Sequence, residues 1–112
     1  INAAGGNHYM RRELDDNTVL KSDLIATDDI NQARIECGDL INVIDRGLLR
    51  WHYIHQLSEI ISGLKVGRTN DNQITLYESQ GLAIQDLTAA AHIYSKAVKN
   101  KIGVKVDIET YN

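Results

Sequence analysis

The sequence predicts an α/β protein built on a parallel β-sheet. Three short apolar segments have the length of strands, residues 1–4, 24–26 and 74–77, and segments with helical patterns lie between them. Strands that alternate with helices through short connections are typical of parallel sheets. The 112 residues contain no glycine-rich phosphate-binding fingerprint. The pattern therefore indicates one half of a doubly wound sheet, and the alternative is a small complete α/β domain.

Aspartates mark the expected helix starts in the first half of the chain. An aspartate that precedes an apolar helical pattern can accept a hydrogen bond from the free N–H groups of the first turn. In chain order, these are Asp15 or Asp16 for a helix containing Val19 and Leu20, Asp29 for a helix of residues 30–37 that Gly38 ends, and Asp39 for the next helix.

The second half is predicted to contain helices on either side of a strand. Ile54, Leu57 and Ile61 fall at helical spacing, which favours a helix over residues 51–61. A loop over 63–73 leads to the strand 74–77, and a long helix over 82–98 follows. After Gly103, alternating apolar residues predict a strand over 104–109, which needs a partner sheet that this chain barely supplies.

Composition excludes several classes of function. The net charge is -3 with both signs interspersed, which gives no reason to expect nucleic acid or an anionic membrane as a partner. The apolar runs are too short to span a bilayer. The single cysteine, Cys37, excludes an internal disulfide and fits a reducing compartment, so we expect a cytoplasmic protein. Cys37 is expected to be a core residue rather than a nucleophile, because no nearby base is evident.

One group of side chains has the spacing of metal ligands. His52, His55 and Glu59 are three and four residues apart, so on one helix they would share a face. No matching ligand cluster stands elsewhere in the sequence. We therefore expect a solvated helix face and no metal.

Two junctions that follow predicted strands are candidates for chemistry. Ligands of open parallel sheets bind beyond the carboxyl ends of the strands, and glycine lets backbone N–H groups approach a ligand closely. The first junction is AAGGN, residues 3–7, and its alternative is a tight turn. The second is SQG, residues 79–81, where a long helix would begin and Ser79 could simply cap it. Arg11 could reach an anionic ligand or belong to an exposed charge cluster.

Several quoted segments together resemble the ornithine cyclodeaminase/mu-crystallin family. They are INAAGG, REL at 12–14, LKSDLIATDD, ARIECGDL, LSEIISGLKVGRTNDNQITLYESQG and LAIQDLTAAAHIYSKA. The resemblance implies the C-terminal half of a Rossmann-like doubly wound sheet that binds NAD or NADP. Residues 1–92 would complete that domain, and residues 93–112, with the terminal strand, would return to a substrate and dimerisation domain. The chain would be a fragment of a homodimeric parent, inactive alone because the pyrophosphate loop lies upstream.

The resemblance also implies roles for particular residues. Cofactor contacts would fall on Ala4, Gly5, Gly6, Asn7, Arg11 and Ser79. Gln80 and Asn7 would lie beside a small amino- or imino-acid substrate. These roles agree with the interpretation from the residues themselves, in which the glycine junction (3–7) and the helix start (79–81) bind one ligand.

One departure from the family pattern bears on activity. Cyclodeaminases resemble this chain but carry an aspartate where Asn7 stands, and an asparagine cannot carry a proton at neutral pH. His8 could replace that acid, or it could be an exposed loop histidine. The resemblance therefore implies an NAD(P)-dependent, ornithine cyclodeaminase-like oxidoreductase that moves hydride at an α-carbon. The alternative is a mu-crystallin-like protein that binds a nucleotide and a small ligand without cyclodeaminase activity.

Overall fold

A four-stranded parallel sheet is the framework of the first part of the chain. The structure is a computed structural model that describes residues 1–106. It divides into two compact units, Ile1–Leu82 and a second that begins at Ala83. The strands of the first unit are β1 (Asn2–Ala3), β2 (Leu24–Thr27), β3 (Ile54–Gln56) and β4 (Thr75–Glu78), in the spatial order β1-β4-β2-β3.

The helices are short in the first unit and long in the second. Those of the first unit are α1 (Asp16–Leu20), α2 (Ile30–Glu36), α3 (Gly38–Asp45) and α4 (Leu57–Ile61), with a single 3-10 turn at Trp51–Tyr53 before β3. In the second unit, α5 runs from Ala83 to Asn100, which confirms the long helix predicted over 82–98. No helix among residues 1–106 combines the length and apolar character needed to cross a membrane.

The strand order explains why helices lie on both faces of the sheet. The connections β1 to β2 and β2 to β3 move across the sheet in one direction, and β3 to β4 returns in the other. Right-handed crossovers then place the last connection on the opposite face. Accordingly, the core combines strand residues with α1, α2 and α3 on one face, whereas Leu57 and Ile60 of α4 line a cavity with Ala26 and Tyr77 on the other. The predicted α/β fold is confirmed.

Apolar side chains from neighbouring strands form the core side of the sheet. Ile25 pairs with Leu76 in β4 and with Ile54 in β3, and all three side chains are buried. They pack with Val19, Ala33, Leu40 and Val43 from the three helices, and with Cys37. The expected core position of Cys37 is therefore confirmed.

The predicted helix over residues 51–61 is wrong. Residues 54–56 form β3, which pairs in parallel with β2 through Ile25 and Ile54, and only residues 57–61 are α-helical. The spacing of apolar residues could not distinguish a continuous helix from a strand followed by a short helix. A buried strand residue and one helical turn give the same spacing of apolar residues. His52, His55 and Glu59 consequently lie on three different elements. Among residues 1–106, no group of three or more side chains could hold a metal ion.

Two of the three predicted caps are confirmed. The carboxylate of Asp15 accepts a hydrogen bond from the Thr18 N–H at 2.7 Å, and that of Asp29 accepts one from the Gln32 N–H at 2.8 Å. Asp39 does not cap α3. That helix already begins at Gly38, and the carboxylate of Asp39 binds a different segment, described below.

The end of the chain leaves two predictions open. Residues 104–106 are not in a strand, and the remainder of the strand predicted over 104–109 lies outside the described residues. The division into units falls between Leu82 and Ala83. The functional boundary between residues 92 and 93 stays a prediction.

Candidate functional site

The two junctions singled out in the sequence are neighbours at one edge of the sheet. Because β1 and β4 are adjacent and parallel, the segments that follow them emerge side by side. The Ser79 N–H donates a hydrogen bond of 2.9 Å to the carbonyl of Ala3, two residues before the Gly5-Gly6 pair. We call this region, residues 4–7, 27–29 and 79–81, the carboxyl edge.

Asp28, at the end of β2, is the hydrogen-bonding centre of the carboxyl edge. Its Oδ2 atom accepts hydrogen bonds from the Ser79 hydroxyl at 3.0 Å and from the Gly81 N–H at 2.8 Å. Its Oδ1 atom accepts the N–H of Asp29 at 3.0 Å. This carboxylate fixes the segment after β4. The hydroxyl of Ser79 is committed to Asp28, and α5 begins only at Ala83, so Ser79 is not the helix cap.

Gln80 is buried beside the same strand ends. Its side-chain Oε1 accepts a hydrogen bond from the Thr27 hydroxyl at 3.0 Å, and only 7% of the residue is exposed. Within the described part of the chain, its Nε2 atom has no hydrogen-bond partner. An unpaired buried donor costs about 1–3 kcal/mol, so a ligand oxygen placed there would gain a favourable contact.

The glycine segment is accessible from solvent. Ala4, Gly5 and Asn7 are exposed. Neither glycine has a positive φ, so neither is required by a left-handed turn. A Cβ atom on Gly5 would lie 2.0 Å from Oε1 of Glu13, whereas one on Gly6 would meet nothing closer than 3.8 Å. The backbone at Gly6 is thus open toward a ligand, as a cradle for a nucleotide requires.

The residues after Asn7 form an exposed hydrogen-bonded turn. The Arg11 N–H donates to the carbonyl of His8 at 2.8 Å, and the Nδ1 atom of His8 accepts the Met10 N–H at 3.3 Å. The rings of His8 and Tyr9 stack at 4.8 Å between centroids. His8 and Arg11 are both exposed, so the structure leaves the side chain of Arg11 accessible to an anionic group.

A buried carboxyl and a buried thiol lie beneath this edge. Glu78 is 2% exposed, and desolvation, with the nearby charge of Asp39, raises the pKa of Glu78 to about 8. Its Oε2 atom accepts the Cys37 thiol proton across 3.6 Å. Burial, together with the charge of Glu78, raises the pKa of Cys37, which keeps it a thiol rather than a nucleophilic thiolate.

Sequence reasoning found both junctions but missed Asp28, Glu13 and Glu78. Asp28 directly follows a strand, as Ser79 does, so the rule that ligands bind at strand ends could have identified it. Nothing local distinguishes Glu13 or Glu78 from solvated acids.

A parallel sheet with open glycines at its carboxyl edge defines the chain as part of a Rossmann-like α/β protein. The chain belongs to the ornithine cyclodeaminase/mu-crystallin family, whose family model matches residues 1–101.

Individual relatives support this assignment over nearly the whole chain. The Delta(1)-pyrroline-2-carboxylate reductase of Bacillus thuringiensis subsp. konkukian is 36% identical over 108 residues, which are 96% of this chain and 33% of the relative. The solved Delta(1)-pyrroline-2-carboxylate reductase of Thermococcus litoralis, in complex with NADH and L-proline, is 39% identical with a TM-score of 0.81, over 95% of this chain and 33% of that one.

A second solved structure extends the comparison to another activity. An archaeal alanine dehydrogenase dimer with bound NAD is 34% identical with a TM-score of 0.77, and the match covers 96% of this chain and 33% of that one. The chain therefore spans about a third of the length of these relatives.

Proposed function

We propose that this chain forms part of the nicotinamide-cofactor site of an NAD- or NADP-dependent oxidoreductase. The whole protein would transfer hydride to or from the α-carbon of a small amino or imino acid. The observation that carries the proposal is the convergence of the open Gly5-Gly6 backbone and the Ser79–Gly81 segment at one edge of the sheet. The reductase and dehydrogenase relatives, solved with NADH or NAD, support the same conclusion.

The chain's own residues would bind and orient the cofactor. The backbone of Ala4, Gly5 and Gly6 would approach the nucleotide, since no atom lies closer than 3.8 Å to the position that a Cβ on Gly6 would take. Arg11 would contact an anionic group of the cofactor. Ser79, held by Asp28, would lie near the nicotinamide ring, whose chemistry when bound is to accept or donate the hydride.

Asn7 and Gln80 would hold the substrate. Asn7 is exposed at the carboxyl edge and offers both a donor and an acceptor, but it cannot exchange a proton at neutral pH. Gln80 offers its unpaired Nε2 donor to a substrate oxygen. This combination favours hydride transfer to an imine over cyclisation of ornithine, which would need a proton carrier at position 7.

The assembly and the division of labour along the chain are also part of the proposal. The whole protein would be a cytoplasmic homodimer, as the dimeric alanine dehydrogenase relative suggests. Residues 1–92 would complete the nucleotide-binding domain, and residues 93–112 would belong to a substrate and dimerisation domain. The isolated chain would be inactive as an enzyme.

The proposal is tested by adding one methyl group at Gly6 in the full-length protein. Gly6→Ala should leave the fold intact, because the new Cβ would meet nothing closer than 3.8 Å, an ordinary van der Waals distance. The methyl group would block a hydrogen bond from the backbone to the cofactor. Loss of that bond should raise the Kd for NADH at least about tenfold. The measurement is a fluorescence titration with NADH and NADPH.

Asn31→Ala, on the exposed side of α2, is the matched control and should leave the Kd unchanged. An unchanged Kd in Gly6→Ala would contradict the placement of the cofactor at this glycine. Failure of the wild-type protein to bind either nucleotide would overturn the proposed function itself.

The second candidate is a mu-crystallin-like protein that binds a nucleotide and a small ligand. Asn7 is the observation that favours it, because a binding protein needs no proton carrier at this position. The two candidates differ in turnover. A protein that binds NADH but reduces neither cyclic imino acids nor pyruvate with ammonia would be the binding protein.

A further inference from the structure

The start of helix α3 packs directly against the backbone that follows the glycine segment. A Cβ atom on Gly38, the first residue of α3, would lie 2.2 Å from the carbonyl oxygen of Arg11 and 2.6 Å from that of Tyr9. Both neighbours are backbone atoms, which cannot move aside as the end of a flexible side chain can. Helix α3 and residues 9–11 are therefore fixed against each other.

Asp39, the next residue, holds the same stretch through its carboxylate. Both of its oxygens lie 3.1 Å from the Glu13 nitrogen, and Oδ1 also accepts the Leu14 N–H at 3.1 Å. The Arg12 Nε atom lies 3.6 Å from Oδ1. Asp39 is only 3% exposed. One buried carboxylate thus binds three consecutive residues, and hydrogen bonds to a charged acceptor are the strong ones.

Glu13 connects this contact to the carboxyl edge. Its carboxylate lies against Gly5, where the Oε1 atom occupies the space that a Cβ would need. The backbone of Glu13 is held by Asp39, so the side chain that packs on Gly5 starts from a fixed position. A continuous series of contacts therefore runs from Asp39 through Glu13 to Gly5.

We propose that Asp39 is a positioning residue for the cofactor site. By binding the N–H groups of Glu13 and Leu14, it holds residues 5–14 in the conformation in which Gly5, Gly6 and Asn7 meet the cofactor. The inference rests on the proposed function. The inference goes beyond the proposed function because it identifies a residue of α3, which belongs to neither junction, as one that sets the geometry of the site.

The test compares two substitutions at position 39 in the full-length protein. Asp39→Ala removes both acceptor oxygens and should raise the Kd and the KM for NADH about tenfold, with a smaller effect on kcat. Asp39→Asn keeps one acceptor oxygen for the same two N–H groups and should recover most of the lost affinity. Hydrogen exchange of the Glu13 and Leu14 amides, measured without cofactor, should accelerate in Asp39→Ala.

Val43→Ala supplies the control for a purely structural effect. Val43 is a fully buried core residue of the same helix, and its truncation lowers stability while the Asp39 carboxylate keeps its bonds to the Glu13 and Leu14 N–H groups. It should leave the Kd for NADH and the exchange of both amides unchanged at temperatures where the protein is folded.

Each outcome bears on a different statement. Faster exchange in Asp39→Ala with an unchanged Kd would overturn the positioning role, as would an equal loss of affinity in Val43→Ala. If the wild-type protein binds neither NADH nor NADPH, the proposed function fails. The exchange data would then still decide whether Asp39 holds residues 5–14.

Discussion

The Ser79 hydroxyl donates a hydrogen bond to Oδ2 of Asp28 at 3.0 Å, which ties the end of β4 to the end of β2. The same oxygen accepts the Gly81 N–H, so one carboxylate sets the path of the chain as it leaves β4. Asp28 is nearly buried, at 8% exposure. The segment that we propose to lie beside the nicotinamide ring therefore depends on a residue from another strand.

Asp28→Ala should destabilise the protein by about 1.5–3 kcal/mol, the usual contribution of hydrogen bonds to a charged group. The substitution leaves the Ser79 hydroxyl and the Gly81 N–H without their acceptor. The measurement is the urea midpoint at neutral pH. Asp71→Ala, in an exposed loop, is the control and should stay within about 0.5 kcal/mol of wild type. Equal midpoints for the two variants would contradict the role of Asp28.

Glu78 should make stability fall as the pH rises. Its pKa is about 8 in the folded protein against an ordinary value of 4.5, so between these values the folded state binds more protons than the unfolded state. The contribution of Glu78 to stability is then fully present below pH 4.5 and is lost progressively as the pH rises to about 8. The acidic groups that face Glu78 are Asp39, Glu13 and the Cys37 thiol.

Glu78→Gln should remove this dependence, because an amide does not titrate. The slope of the free energy of unfolding against pH, between pH 4.5 and 8, should change by up to about 1.4 kcal/mol per pH unit. Denaturant unfolding at several pH values measures it. Asp45→Asn, at an exposed position of α3, should retain the wild-type slope. If Glu78→Gln has the same slope of unfolding free energy against pH as the wild-type protein, Glu78 is ionised in the folded protein.

Gly38→Ala should destabilise the protein although alanine is the better helix former. The propensity gain is about 1 kcal/mol, but the new methyl group would overlap the carbonyl oxygens of Arg11 and Tyr9. Overpacking of this kind costs about 1–3 kcal/mol. Thermal unfolding should show a lower Tm for Gly38→Ala than for Asn31→Ala in α2, where nothing opposes the substitution. A raised Tm would contradict the close approach of α3.

Asn7→Asp should introduce a new ionisation at the proposed substrate site. The wild-type side chain carries no titratable proton, whereas an aspartate at this exposed position would titrate near its ordinary pKa of about 3.9. The pH profile of kcat/KM for the proposed reduction of a cyclic imino acid should therefore gain an acidic limb. Asn72→Asp, in the exposed loop that precedes β4, should not change the profile. Identical profiles for all three proteins would exclude position 7 from contact with the reacting group.

Local sequence signals were sufficient where the interaction itself is local. Asp15 and Asp29 each bind an N–H group three residues ahead, so their caps could be predicted from the order of residues alone. The strand 54–56 could not be predicted in this way, because its strand character depends on pairing with Ile25, some thirty residues earlier. Asp39 failed as a predicted cap for the same reason. Its partners, Glu13 and Leu14, are 26 and 25 residues away.

The sequence by itself determined the α/β class, the family, the core position of Cys37 and the two junctions at Gly5-Gly6 and Ser79–Gly81. Each of these follows from composition, from short-range spacing or from a run of matching residues. Only the tertiary structure decided that the junctions are neighbours, that Asp28 binds one of them and that Asp39 binds the backbone beyond the other. The physical reason is that parallel strands distant in sequence align their carboxyl ends, and side chains there acquire partners that no local pattern encodes.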